Sequence, residues 1–292
     1  MKVGQSGQAL VLVLLSLSVV LTIVLFVVAR SVTDVAVSSG SENSIRAFSA
    51  AEAGVEKALV GLGTTSPTTA SIGDASYTAS INPLAGAGTS YNYPAALSSG
   101  DSMTVWFVSH DTDGNLYAGA CSATYPCFSG TQMTVCWGKP GTAASSAIAP
   151  AIEISVFYEA TPIRIGRVTA DPYRTRPGSN NFADIDHVTS CTISGVTYAF
   201  QKTINFGPDI GATNSNTAGN LQFARVRMFY NSNAQPVGIS VAGSSLPSQG
   251  LSISSTGTAG SSNRKVLVFQ SWPEVPSVFD YAVYNGTGGL TK

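Results

Sequence analysis

Two short segments of the chain carry side chains that could bind a metal ion. Asp111, Asp113 and Asn115 place carboxylate and amide oxygens at alternate positions, as at the start of a calcium loop. The rest of such a loop is missing, because Leu116 and Ser122 stand where glycine and glutamate are needed. The segment is therefore interpreted as a plain hairpin turn, with calcium as a weak alternative.

The second segment is Asp184, Asp186 and His187, which could supply oxygen and nitrogen ligands. A solvated loop is the favoured interpretation here. The sequence contains no Gly-x-Ser-x-Gly, no His-Glu-x-x-His and no phosphate-binding glycine loop. No enzyme and no cofactor are predicted, and an exported hydrolase on a stalk is kept only as a minor alternative.

The four cysteines follow the hydrophobic N-terminal segment and are even in number, which favours disulfides in an exported domain. Three pairings are possible. The preferred one joins Cys121 to Cys127 as a local clasp and Cys136 to Cys191 as a longer cross-link. Free thiols are the alternative, and zinc is disfavoured because there is no Cys-x-x-Cys pair.

Trp106, Trp137 and Trp272 could form a sugar-binding platform, but aromatic residues of a core are the favoured interpretation.

Composition indicates an exported, β-rich protein. Charged residues make up 11% of the 292, against roughly 25% in an ordinary soluble domain, while hydrophobic residues make up 44%. The formal net charge of −1 predicts no nucleic-acid partner.

Residues 9–29 form an uncharged apolar run without glycine or proline. About 20 such residues in a helix span the roughly 30 Å hydrocarbon core of a membrane. The run is too long for the apolar part of a cleaved secretory signal. It predicts a single span of the cytoplasmic membrane, in contact with lipid, with the chain that follows it outside the cytoplasm.

Helical patterning continues beyond this run without proline as far as Leu62. We therefore predict one long helix over 8–62, apolar all round in its first half and amphipathic in its second. The amphipathic half is expected to bury Phe48, Val55 and Leu59 against a sheet. The predicted apolar stripe consists of Val35, Ile45, Phe48, Ala51, Val55 and Leu59.

The predicted fold class is α+β, with the long helix packed on an antiparallel sheet or sandwich. Residues 63–100 are rich in Ser, Thr, Gly and Pro and are interpreted as a linker with loose strands. Residues 101–292 show short alternating runs separated by turn residues and are interpreted as an extracytoplasmic β-rich domain. The run 266–269 is apolar on both faces and predicts a central strand.

Three features of the sequence resemble type IV pilins, and PilX-type minor pilins in particular. A short leader with a basic residue ends in Gly7, directly before Gln8 and the apolar run. Residues 46–56 read RAFSAAEAGVE and resemble the AF-x-AAEAG signature of that family. Residues 251–266 resemble its I-x-STG-x-x-G and R-x-V strand pair.

The resemblance implies a pilin-like fold and a structural role in a filament or its tip complex. A contribution to adhesion is compatible with this role. It implies a leader over 1–7, cut after Gly7 by a prepilin peptidase, and a mature methylated amino terminus at Gln8. The implied partners are other pilin subunits and the inner-membrane assembly machinery. Helix-assembly residues implied by this layout are Leu12, Val19, Phe26, Phe48, Ala51, Glu52 and Val55.

Most pilins carry glutamate at the fifth mature position, where this chain has Leu12. The difference resembles tip-type subunits and favours a minor over a major pilin. An uncleaved membrane-anchored adhesin outside any filament is the alternative.

Overall fold

The structure, a computed structural model, describes residues 6–61, 68–86, 88–111, 113–117, 119–159, 162–178, 180–186 and 190–274. The chain divides into two compact units. The first comprises Met1–Ile81 and Ile253–Val268, and the second comprises Asn82–Ser252 and Phe269–Lys292.

The described elements follow one another along the chain as two helices and fourteen strands. In chain order they are α1 (Ser6–Val60), β1 (Thr68–Ile72), β2 (Ala75–Pro83), β3 (Ser90–Asn92), β4 (Ser102–Trp106), β5 (Gly130–Trp137), β6 (Ala151–Tyr158), β7 (Arg164–Ala170), β8 (Cys191–Ile193), β9 (Val196–Tyr198), β10 (Phe200–Asn205), α2 (Phe206–Ile210), β11 (Leu221–Phe229), β12 (Val237–Gly243), β13 (Gly250–Ala259) and β14 (Ser262–Ser271).

The first unit is built around α1, which runs unbroken for 55 residues. No proline interrupts the helix. At about 1.5 Å per residue its length is roughly 80 Å. Its last four turns lie on a four-stranded sheet of order β1-β2-β13-β14. The prediction of one long helix is thus confirmed, as is the α+β class.

The second unit is an antiparallel sandwich. One sheet has the order β10-β5-β12-β3 and the other β4-β11-β6-β7. Their inner faces share one core, to which Val135 and Trp137 contribute from the first sheet and Ile154 and Val226 from the second. This core follows directly from the alternation of apolar and polar residues along each strand.

The strands expected within residues 63–100 are present, because residues 68–83 form the hairpin β1–β2, and β2 pairs with β13. Small residues alternate with Tyr77 and Ile81 along the buried face of β2, so this weakly apolar segment still has one core-facing side. The prediction of a central strand at 266–269 is wrong. This segment lies in β14, at the edge of its sheet, and Leu267 and Phe269 are exposed.

Candidate assembly and binding surfaces

The first half of α1 has no cover from the described chain. Its large apolar side chains from Leu10 to Val28 are 50–67% exposed. Among them are the predicted assembly residues Leu12, Val19 and Phe26. This helix is long and apolar enough to cross a membrane, and it is the one such helix among the described residues. The predicted processing site, Gly7 and Gln8, lies in the first turn of α1, and the exposure of these two residues lies outside the described part.

The second half of α1 meets the sheet through small residues. Ala47, Ala50, Ala51 and Gly54 are buried on one face, at helical spacings of three and four. Small side chains allow the helix backbone to approach the strands closely. The helix therefore packs on the sheet by close approach of the two backbones.

Two glycines mark the closest points of this contact. A Cβ on Gly257 of β13 would overlap the carbonyl oxygen of Ala47 and come within 2.6 Å of the nitrogen of Ala51. A Cβ on Gly54 would meet the hydroxyl of Ser255 and, at 2.7 Å, the ring of Tyr77. The two sequence segments 46–56 and 251–260, which lie 195 residues apart at their nearest ends, thus pack directly on each other.

Polar contacts extend this packing toward the middle of the helix. Arg264 of β14 donates two hydrogen bonds to the Ser44 hydroxyl, from Nε at 2.8 Å and from Nη2 at 2.6 Å. Gly260, in the turn between β13 and β14, lies against the side chain of Asn43. The helix residues that contact the strands therefore form one stripe that runs from Asn43 through Gly54 to Ala58.

This stripe corrects the predicted amphipathic face. Ala51 and Val55 are buried as expected, but Phe48 is 46% exposed and Ile45 points outward as well. Leu59 is half-buried and Glu52 is exposed. The physical reason is that a phenylalanine ring cannot fit where the helix backbone comes this close to Gly257.

The outward side chains of α1 border a groove beside the β1–β2 hairpin. Ile45, Ala53 and Ile72 line a cavity of about 420 Å³ together with the polar side chain of Arg46. Ile45 and Ile72 are both exposed. Apolar surface at the second half of the helix is therefore open to another molecule.

The Asp111 segment is a hairpin turn in the structure. The Asp111 carboxylate accepts hydrogen bonds from the backbone N–H groups of Asp113 (3.0 Å) and Asn115 (2.9 Å). His110 and Leu116 are paired as an antiparallel bridge on either side. The carboxylate oxygen is thus engaged by the turn, which favours the hairpin interpretation over calcium.

The second metal candidate is not assembled by the described residues. Asp184 pairs with Arg174, while Asp186 accepts from Lys202 Nζ at 2.8 Å. Burial opposes ionisation of Asp186, but bonds from Lys202 and Thr203 outweigh it and hold the pKa of that carboxyl below its usual range. His187 lies outside the described residues. Among those described, no group of three potential metal ligands comes together.

A buried ion pair that sequence reasoning missed fixes the segment after β7. Asp171 and Arg176 are joined by bonds of 2.7 and 2.9 Å, and Arg176 also donates to the carbonyls of Ala147 and Ala149. Burial opposes ionisation of Asp171, but hydrogen bonds from Arg176, Tyr173 and Asn180 outweigh it and lower the pKa. Every charged atom of the pair has a hydrogen-bond partner, so we interpret the pair as a structural contact that holds the segment after β7 in place.

The cysteines are joined as the sequence analysis preferred, Cys121 to Cys127 and Cys136 to Cys191. The second disulfide ties β8 to β5 and forms a small buried cluster with Ile193 and Tyr198. The β8–β9 hairpin is thereby fixed to the sandwich.

The three tryptophans do not form one platform. Trp137 is fully buried in the sandwich core and donates from Nε1 to the carbonyl of Pro150 at 2.7 Å. Trp106 and Trp272 instead flank His110, with ring centroids 4.5 and 4.8 Å away. Burial among these rings lowers the pKa of His110 to about 4, against a smaller raising effect of Asp111.

Taken together, these features define an α+β protein with a long, half-uncovered N-terminal helix and a disulfide-linked β-sandwich. Comparison of the sequence with models of protein families and with curated proteins gave no match.

Proposed function

We propose that this chain is a structural minor pilin, anchored by α1 in the cytoplasmic membrane and assembled through α1 into a filament or its tip complex. The observation that carries the proposal is the uncovered apolar half of α1. Its β-rich part faces the outside of the cell. The role is structural, without catalysis or a cofactor.

The length of the uncovered segment supports this role. Nineteen residues from Leu10 to Val28 rise about 28 Å in a helix, which matches the roughly 30 Å hydrocarbon core. The same side chains would pack against equivalent helices of other subunits after leaving the membrane. One surface thus serves both lipid and neighbouring subunits, since both are apolar.

The small-residue contact supports the same role at the other end of the helix. Gly257 of β13 lies against the helix backbone, and Gly54 of the helix lies against the side chains of Ser255 and Tyr77, so helix and sheet are packed closely together. Phe48 and Ile45, which remain outside this contact, are available to a neighbouring subunit. In this proposal they belong to the assembly surface and not to the core.

One observation favours the alternative of an uncleaved, membrane-anchored adhesin. Leu12 stands where most pilins have the glutamate that neutralises a neighbour's amino terminus. A buried amino terminus without that carboxylate is costly. A minor subunit at a filament tip, with its amine near the membrane interface, avoids this cost; so does a protein that never enters a filament.

N-terminal sequencing with intact mass measurement, on native membranes and on sheared surface filaments, tests the proposal. A mature start at Gln8 in the sheared fraction is the expected result. A start at Met1 that occurs in membranes alone would overturn it and leave the anchored adhesin. Gly7→Leu should block processing, while Gly4→Leu, a matched change within the same leader, should leave it unchanged.

A further inference from the structure

The outer face of the β4-β11-β6-β7 sheet carries side chains in ordered rows across the strands. The strand register places Phe223 of β11 opposite Phe157 of β6, which in turn is opposite Ile165 of β7. The next row holds Arg225, Ser155 and Arg167 in the same order. An apolar row therefore runs directly beside a cationic one.

A third row completes this face. Arg227 of β11 lies opposite Glu153 of β6. The inner-facing residues between these positions, such as Val226 and Ile154, are in the sandwich core. The charged rows must therefore point away from the core, because side chains alternate along a strand.

These rows enclose a cavity of about 140 Å³. Its lining consists of Glu153, Ser155, Phe157, Ile165, Arg167, Arg225 and Arg227. Three arginines face one glutamate there, a formal charge of +2 before neighbours are counted. Glu274 lies 4.0 Å from Arg225 and reduces the local charge to +1.

Two of the arginines are held in place by the sheet. The Arg227 residue is 7% exposed, and its Nη2 donates to the carbonyl of Gly100 at 3.2 Å. The Arg225 side chain is 11% exposed. Arg167 on the edge strand β7 is exposed and takes part in no ion pair between described residues. The cavity thus has a rigid cationic floor and one accessible arginine at its rim.

We propose that this cavity binds the carboxylate group of an acidic polysaccharide of the uronic-acid type. Arginine recognises a carboxylate through parallel N–H donors, and Ser155 adds a hydroxyl beside them. The adjoining apolar row of Phe157, Phe223 and Ile165 supplies a surface on which the C–H face of a sugar ring can pack. This site does not depend on whether the chain enters a filament.

The size and place of the cavity favour a glycan over other polyanions. Pockets that enclose a drug-sized ligand measure roughly 300–1,000 Å³, so this one holds a single charged group. Nucleic acids bind through many phosphate contacts along a basic surface, which one cavity does not provide. A peptide recognised by a sheet usually adds to its edge, whereas this cavity lies over the central strands β6 and β11.

Calorimetric titration of the full chain in detergent with an oligoglucuronate tests the proposal. Binding is expected, with no binding of a neutral glucose oligomer of equal length. Arg167→Gln should weaken oligoglucuronate binding about tenfold, the effect of losing one charge-assisted hydrogen bond. Glu153→Gln should strengthen it several-fold, because it removes a repelling carboxylate from the cavity.

The matched control is Arg164→Gln on the same strand. Arg164 is also exposed, but it pairs with Glu159 at 2.8 Å and does not line the cavity. Its loss should leave affinity unchanged. Equal weakening by Arg164→Gln, weakening by Glu153→Gln, or equal binding of the neutral oligomer would overturn the proposal. Tighter binding of single-stranded DNA or an acidic peptide, abolished by Arg167→Gln, would also overturn it in favour of that ligand.

Discussion

At the scale of single residues, the contact between helix and sheet depends on the absence of two side chains. Gly54 and Gly257 occupy positions where a Cβ would meet atoms of the opposite element. At Gly257 those atoms belong to the helix backbone, which cannot rotate away as a side chain can. Glycine is thus required by close approach, not by its backbone angles.

Gly257→Ala should therefore destabilise the first unit by about 1–3 kcal/mol, as overpacking does. Hydrogen exchange at the amides of residues 47–55, measured in detergent, would report this as faster local opening. Gly40→Ala is the control, since nothing lies within 4 Å of a Cβ there. That change should be neutral or stabilising by up to about 1 kcal/mol. Unchanged protection in Gly257→Ala would contradict the packing described above.

His110 gives the second unit a dependence on pH. Its pKa falls from 6.5 to about 4 on folding, so between these values the unfolded chain binds a proton that the folded chain does not. Stability should thus be full at pH 7 and decline as the pH falls from 6.5 towards 4, by up to about 3 kcal/mol. Asp171 and Asp186 have lowered pKa values and lose their contribution only in more acidic solution.

Chemical denaturation at pH 7 and pH 4.5 checks this expectation. In His110→Phe, which keeps an aromatic ring between Trp106 and Trp272, the difference in unfolding free energy between the two pH values should shrink. An undiminished difference would assign the pH dependence to other groups.

At the scale of elements, the two disulfides close loops of different length. Cys136 and Cys191 are 55 residues apart and Cys121 and Cys127 are 6 apart. From loop-closure entropy we expect the first disulfide to stabilise the folded state by about 4 kcal/mol and the second by about 2 kcal/mol. The longer one also fixes the short β8–β9 hairpin, which is too small to be stable alone.

Replacing both Cys136 and Cys191 by alanine should therefore lower the unfolding free energy more than the same change at Cys121 and Cys127. Denaturant titration of both double variants under identical conditions compares them directly. An equal or reversed order would show that native-state contacts, rather than loop length, set the contribution of each disulfide.

At the scale of the whole molecule, the two halves of α1 have different roles. The first half offers apolar surface to lipid and, in our proposal, to other subunits. The second half packs against the β1-β2-β13-β14 sheet. Substitutions should therefore divide into those that affect insertion and those that do not.

Val19→Asp should reduce the fraction of protein recovered in membranes, since a carboxylate at the centre of a spanning helix costs about 3 kcal/mol in insertion. Val35→Asp, at a residue that is also exposed but lies beyond the 9–29 run, should leave that fraction unchanged. Fractionation followed by immunoblotting measures both variants. Equal recovery of the two variants would argue against a membrane span at 9–29.

The sequence by itself determined the long helix, its change of character near residue 30 and the β-rich remainder, whereas the tertiary structure selected one of the three possible cysteine pairings. These features depend on local composition and on short-range periodicity, both of which can be recognised in a single sequence. The same local reading placed Phe48 in the core and residues 266–269 in a central strand. Both were wrong, because large apolar side chains count as buried in any pattern based on hydrophobicity.

Only the tertiary structure decided which helix face meets the sheet, because that choice depends on how closely two backbones approach. Ala47 and Gly54 carry almost no hydrophobic signal, yet they are the residues that fit against β13. The cationic cavity was equally hidden, since Arg167 and Arg225 are brought to one face by the pairing of β6 with its neighbour β7 and with β11, which is distant in sequence. Long-range register and close packing are properties of the folded chain, and local periodicity does not encode them.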